Sequence, residues 1–193
     1  MPDDDARRVI ALVSSAGGLD ALSRVLTPLP SDFPAAIIAL QHLDPEHRSS
    51  LDEVLARRTT LRVRRAEDGA ELEPGCVYVV PEHRHLLVTP DRTMVLIVSG
   101  LVPPNRPSAD LLLVSLAVSL GPAAIAVVLS GGGHDGATGA TAVHDLGGIV
   151  IAADRRSSEH YSMPEAAIAR ADAVDHVLDV DDIGTKLLEL VDR

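Results

Sequence analysis

Three short stretches carry residue types suited to acyl transfer: "VSSAGG" at 13–18, "LQHLDP" at 40–45 and "LSGGGHDG" at 129–136. A serine hydroxyl is a poor nucleophile until a neighbouring imidazole accepts its proton. The imidazole needs a carboxylate on its other nitrogen, which fixes the tautomer and stabilises the imidazolium. Ser14 or Ser15, His42 and Asp135 offer one group of each kind. Backbone N–H groups at a helix start hold an oxyanion well. Ser15 suits this role, because the following Ala16-Gly17-Gly18 permits a sharp turn and close approach of a substrate to the backbone. The nucleophile elbow G-x-S-x-G is matched only in part, since Val13 stands at its first glycine. The order Ser15, His42, Asp135 also differs from the Ser…Asp…His order of α/β-hydrolases, which counts against that family alone.

Each residue also has a plainer reading. A serine in a glycine-rich turn caps a helix, a histidine at a strand end is a hydrogen-bonded structural residue, and Asp135 caps the helix that follows it. Their joint occurrence at successive strand ends is what favours the triad. A second chemistry competes for the third stretch. Gly131, Gly133 and Gly136 spell G-x-G-x-x-G, and Asp154 follows 18 positions later, as in a dinucleotide fingerprint with its ribose-binding acid. Against it, Asp135 would place a carboxylate beside the pyrophosphate. So late a fingerprint also leaves little chain for a substrate domain. His83 and His85 lie two apart and would share a strand face, but no third ligand is evident, so no metal centre and no cofactor are expected. His47, His144, His160 and His176 sit in polar surroundings and read as surface residues.

The elements that must position these residues alternate. Apolar runs near Val9–Val13, Ala35–Leu40, Ala124–Leu129 and Ile149–Ala152 predict strands. Helices are predicted near Gly18–Leu26, Ser49–Arg57, Ala109–Leu120, Ala137–Leu146, Pro164–Arg170 and Ile183–Val191, with Ser108 as an N-cap. Such alternation implies right-handed crossovers: a doubly wound α/β fold, with a mostly parallel sheet covered by helices on both faces. Residues 61–98 differ. Their short runs, broken by "EDG", "EPG", "PEHRH" and "TPDR", predict an antiparallel insert of hairpins. In an open parallel sheet, sites form beyond the carboxyl ends of the strands, which is where all three stretches fall.

Composition sets the outer limits. With 193 residues, 46% hydrophobic but only 2% aromatic, the core must be built from Ala, Val, Leu and Ile. A net charge of −11 argues against nucleic acid or an anionic membrane as partner. Arg57, Arg58, Arg62, Arg64 and Arg65 are a local exception, read either as a solvated helix end and edge strand or as a docking patch for an acidic partner. One cysteine, Cys76, allows no intrachain disulfide and fits a cytoplasmic location. No uninterrupted apolar stretch reaches the ~18 residues that would insert in a membrane. "MPDDDARR" has no apolar segment of a signal peptide, so residues 1–7 are expected to be a disordered lead-in and 8–193 one domain.

Taken together, "SSAGG", "QHLDP", "AEDGAELEPGCVYVVP", "NRPSAD", "LSGGGHDGATG", "LGG" and "SMPEAAI" occur in the order found in the catalytic domain of CheB-type chemotaxis protein-glutamate methylesterases, which the chain resembles over roughly residues 8–190. The resemblance implies a parallel α/β sheet with an antiparallel hairpin near the site. It implies hydrolysis of γ-glutamyl methyl esters on cytoplasmic chemoreceptor helices with release of methanol, an activity many members extend to receptor glutamines. The family's nucleophile, base and carboxylate align with Ser15, His42 and Asp135. Its backbone oxyanion donors fall at Ala16 and at Gly132, where a methionine is usual. No metal or organic cofactor is implied. Val13, Ala16 and His134 depart from the usual glycine, threonine and asparagine. No receiver domain is recognised in this sequence, so regulation is expected to come from a separate regulatory, methyltransferase or kinase module, unless this is one segment of a larger design. The alternative left open beside the enzyme is a non-catalytic signalling module of the same fold.

Overall fold

In chain order, the computed structural model runs β1 (Val9–Ser14), α1 (Gly18–Leu26), β2 (Ala36–Gln41), α2 (Leu51–Ala56), β3 (Arg62–Arg65), β4 (Cys76–Val79), β5 (His85–Val88) and β6 (Met94–Ile97). It continues with α3 (Ala109–Leu120), β7 (Ala124–Val128), α4 (Ala137–Asp145), β8 (Ile149–Ala153), α5 (Ser162–Ile168), β9 (His176–Leu178) and α6 (Val180–Val191). Residues 7–42, 49–98, 107–170 and 172–191 are described, so most of the predicted lead-in lies outside them.

Seven strands form one parallel sheet in the order β3-β4-β2-β1-β7-β8-β9. The central strands are buried on both faces, which is why they read as unbroken apolar runs. Alternate residues feed opposite cores. Val9, Ala11 and Val13 pack with α3 and α4 residues such as Leu112, Leu116 and Val143. Ile10 and Leu12 pack with Leu22, Val25, Ile183 and Leu187 of α1 and α6. The small side chains let helices approach closely: a Cβ on Gly139 would lie only 2.5 Å from Leu113 Cβ, where α4 meets α3.

Register decides where the site falls. Ser14 pairs with Gln41, and Val13 with both Leu40 and Val128, so β1, β2 and β7 end at one level. The chain leaves β1 toward β2 on one side, while β7 returns on the other. That strand-order reversal is the usual place for a binding crevice.

The hairpin predicted over 61–98 is present but narrower. Among the described strands, β5 and β6 alone pair antiparallel, from His85↔Ile97 to Val88↔Met94, with a single antiparallel bridge between Glu71 and Thr93 beside them. Residues 62–79 instead add two parallel strands, with Val63 opposite Val77. "CVYV" is buried along its whole length and therefore belongs inside the sheet. The turns at Gly69 and Gly75 break a crossover rather than a hairpin. The arginines then line the sheet edge: Arg62 and Arg64 both approach Glu73, at 3.0 and 3.8 Å, and Arg65 pairs with Glu82. Charge along an edge strand blocks pairing with other chains. The short β9 completes the opposite edge and was not predicted. Among the described residues, no helix is long and apolar enough to cross a membrane.

Candidate active site

The two neighbouring serines have different surroundings. Ser14, the last residue of β1, is fully buried and its Oγ donates to Leu40 O at 3.2 Å. Gly18 presses on it: a Cβ there would stand 2.5 Å from Ser14 Oγ. Ser15 lies one residue beyond, half-buried at the rim. Its backbone is held on three sides, with its N–H donating to Ser130 O (2.9 Å) and its carbonyl accepting from Gly18 N (2.9 Å) and Gln41 Nε2 (3.4 Å). Gly17 makes the turn at a φ of 74°, a conformation glycine adopts without strain. Gly131 leaves room for Ser15, because a Cβ there would sit 2.9 Å from Ser15 Cβ and run into Met163 Sδ. Among the described residues the Ser15 hydroxyl makes no hydrogen bond, so it is not spent as a helix cap.

His42 follows β2 directly, its backbone N–H donating to Ser14 O at 2.9 Å. Its ring Nε2 lies 2.8 Å from Asp135 Oδ2, with the two side chains only 12% and 10% exposed. Asp135 is held by the start of α3. Its Oδ2 also accepts from Ala109 N (2.8 Å), and its Oδ1 accepts from Asp110 N (2.9 Å) and Ser108 Oγ (3.1 Å). Burial alone would push this carboxyl up. The His42 hydrogen bond, the Asp110 and Ala109 amides and the imidazole charge outweigh it and hold the group below its ordinary value. A carboxylate kept ionised against an imidazole is what orients a general base.

The structure thus brings His42 and Asp135 into contact and sets Ser15 on the adjacent strand end. Among the described residues, no hydrogen bond uses the backbone N–H of Ala16 or Gly132. Gly132 is exposed, with no heavy atom within 4 Å of where its Cβ would be. Val13 points away from the rim, into the α3/α4 core, so it does not narrow access. Ser108 caps α3 as expected, accepting from Leu111 N, and sequence reasoning missed its bonds to Asp135 and His85. Asp110 was missed altogether.

The dinucleotide reading loses its donors. Asp110 Oδ1 accepts from the N–H groups of Gly136 (2.9 Å) and Gly139 (2.8 Å), where a pyrophosphate would need them. Asp154 is engaged locally, accepting from Ser157 N and Oγ at 2.8 and 2.7 Å. His83 is exposed, whereas His85 is fully buried with Nδ1 accepting from Ser108 N at 3.1 Å, so the two do not form a chelating pair. Among the described residues, no group of three or more metal-binding side chains occurs. His144 approaches Asp175 at 3.5 Å and the half-exposed His160 approaches Glu159 at 3.7 Å. His176 lies partly buried in β9, and His47 falls outside the described residues.

The family model described as CheB methylesterase matches residues 10–187. The protein-glutamate methylesterase FrzG of Myxococcus xanthus is 38% identical over 184 residues, covering 95% of this chain and 55% of its own length. A protein-glutamate methylesterase/protein-glutamine glutaminase of Burkholderia thailandensis is 39% identical over 188 residues, covering 95% of this chain and 51% of its own. The chain therefore spans about half the length of these curated relatives. The crystal structure of the Thermotoga maritima CheB methylesterase catalytic domain superposes with a TM-score of 0.88 at 36% identity, over 96% of this chain and 99% of that one. By sequence over nearly its whole length, and by fold, this chain belongs to the CheB methylesterase family.

Proposed function

We propose that this domain hydrolyses glutamyl methyl esters on the cytoplasmic helices of chemoreceptors, with Ser15 as nucleophile, His42 as general base and Asp135 as its orienting carboxylate. The observation that carries the reading is the largely buried His42–Asp135 bond of 2.8 Å, the two side chains only 12% and 10% exposed, at the same rim as an uncommitted Ser15. Because Nε2 faces Asp135, Nδ1 is the nitrogen left to accept the Ser15 proton. Ser15 Oγ then attacks the ester carbonyl, and the oxyanion is received by the backbone N–H groups of Ala16 and Gly132. The proton on His42 passes to the departing methoxide, so methanol leaves and an acyl-enzyme remains. Water, deprotonated by His42, releases the glutamate and restores the hydroxyl. None of these steps calls on a cofactor. The glutaminase activity in the name of the Burkholderia thailandensis relative extends the proposal to receptor glutamines, with ammonia in place of methanol.

The exposed Arg57, Arg58, Arg62 and Arg64 offer a basic strip for an acidic receptor helix, and a regulatory, methyltransferase or kinase module would control access. The decisive experiment measures methanol release from methylated receptor. Wild type and Ser14→Ala should release it, and Ser15→Ala should lose roughly 10⁴-fold or more in kcat. Receptor binding by wild type without methanol release would instead mark a non-catalytic signalling module.

A further inference from the structure

Two aspartates hold the starts of α3 and α4 crosswise. Asp135, just before α4, sends its carboxylate to the N-terminus of α3, where Ala109 N and Asp110 N donate to it. Asp110, in the first turn of α3, sends its carboxylate the opposite way, to the N-terminus of α4, where Gly136 N and Gly139 N donate to it. Each carboxylate satisfies amides that the helix itself leaves unpaired, and each sits where the helix dipole favours negative charge. The helices are close enough for this only because residue 139 is glycine: a Cβ there would lie 3.2 Å from Asp110 Cα.

We propose that Asp110 is a positioning residue for the reaction, acting through Asp135. The inference rests on the esterase reading above. Asp110 holds Asp135 twice. Its backbone N–H fixes the carboxylate at Oδ1, opposite the oxygen that meets His42. Its own carboxylate fixes the backbone one residue past Asp135, at Gly136. The loop between Gly131 and Gly136, which also carries Gly132, is thereby anchored at its far end by Asp110 and at its near end by the bond from Gly131 N to His160 O at 2.8 Å. Gly132 and Gly133, where a Cβ would meet no heavy atom within 4 Å, give the middle of that loop no packing of its own. Asp110 need not touch substrate. The imidazole is fixed by Asp135, and Asp135 by Asp110.

The test compares Asp110→Ala with Asp110→Asn, whose amide oxygen still accepts both N–H bonds. Two readouts are used: methanol release, with kcat counted per site labelled by a serine-reactive fluorophosphonate, and the His42 Nε2 proton resonance in NMR spectra. In Asp110→Ala, kcat falls about 30- to 100-fold with KM within about twofold, and the low-field His42 proton is lost. Asp110→Asn recovers kcat to within about fivefold of wild type and keeps the resonance. Asp175→Ala serves as the structural control. That carboxylate accepts from Val150 N at 2.7 Å on another strand, and its loss lowers thermal stability while leaving kcat per labelled site unchanged. Equal kcat per labelled site in Asp110→Ala and wild type would overturn the proposal, as would an Asp110→Asn enzyme no better than Asp110→Ala. A wild type that shows the resonance, loses it in Asp110→Ala and releases no methanol would sink the esterase reading while leaving the clasp standing.

Discussion

The turns after β1 and β7 look alike in sequence and are built on opposite principles. Both are serine- and glycine-rich, both leave a central parallel strand, and both enter a helix through a glycine of positive φ, 74° at Gly17 and 100° at Gly136. The first is held by packing and by hydrogen bonds between neutral groups. Gly18 is pressed onto Ser14, and Gly17 lies against Ser130 and Glu159, where a Cβ would come within 2.7 and 2.9 Å of their oxygens. The second is open at Gly132 and Gly133 and is held by charge, through Asp135 and Asp110. The contrast suits the proposed roles: as nucleophile, Ser15 would need a fixed side chain, which close packing favours, and as oxyanion donor Gly132 would need a free backbone N–H beside a substrate, in a loop left uncrowded and anchored from behind.

The sharpest way to break this contrast is to remove the charge. In Asp135→Asn, one oxygen that accepts N–H donors becomes an NH₂ that cannot, and the imidazole loses its ionised partner. A drop of roughly 10³- to 10⁴-fold in kcat is expected, read by methanol release at saturating receptor. The next effect is on stability and separates the glycines. Gly18→Ala should destabilise by about 1–3 kcal/mol, because its methyl would stand 2.5 and 2.8 Å from Ser14 Oγ and Cβ, with Gln41 Cδ 3.4 Å away. Gly132→Ala should change stability by no more than about 0.5 kcal/mol, since the space is empty. Urea denaturation of both decides it, and equal midpoints would erase the distinction between the loops.

The same contrast explains what the sequence made legible. Strands β1, β2 and β7 could be read because burial on both faces leaves unbroken apolar runs, and helices α1 and α3 match their expected bounds. The candidate residues were found because parallel strands place chemistry just past their ends. Strand direction was not legible for β3 and β4. A crossover made of turns, without a helix, carries the same signals as a hairpin, and only the pairing of Val63 with Val77 separates the two. Asp110 escaped notice because an acid in a first helical turn is ordinary. Nothing in local spacing says that its carboxylate reaches Gly136, 26 residues away. His85 looked polar within "PEHRHLLV", yet its burial and its bond to Ser108 arise only when the hairpin packs on α3.

The smallest predicted effect follows from acid titration. Asp135 has its carboxyl held below the ordinary value when folded, so it binds its proton more weakly there than in the unfolded chain. The unfolded state therefore takes up protons first as pH falls. The stability this group contributes is fully present above the unfolded carboxylate value of about 4, and is lost as pH drops through the lower folded value. The amides of Ala109 and Asp110 donate to this carboxylate, whereas Gly18 N donates to the Ser15 carbonyl, which does not titrate. In an NMR titration of the folded protein from pH 6 toward 2, the Ala109 and Asp110 amide protons should move upfield together, with a midpoint below about 4. Gly18 should hold its position until global unfolding. Were Gly18 to move with the same midpoint, the turn after β1 would also be anchored by charge, and packing with neutral hydrogen bonds would not account for how Ser15 is held.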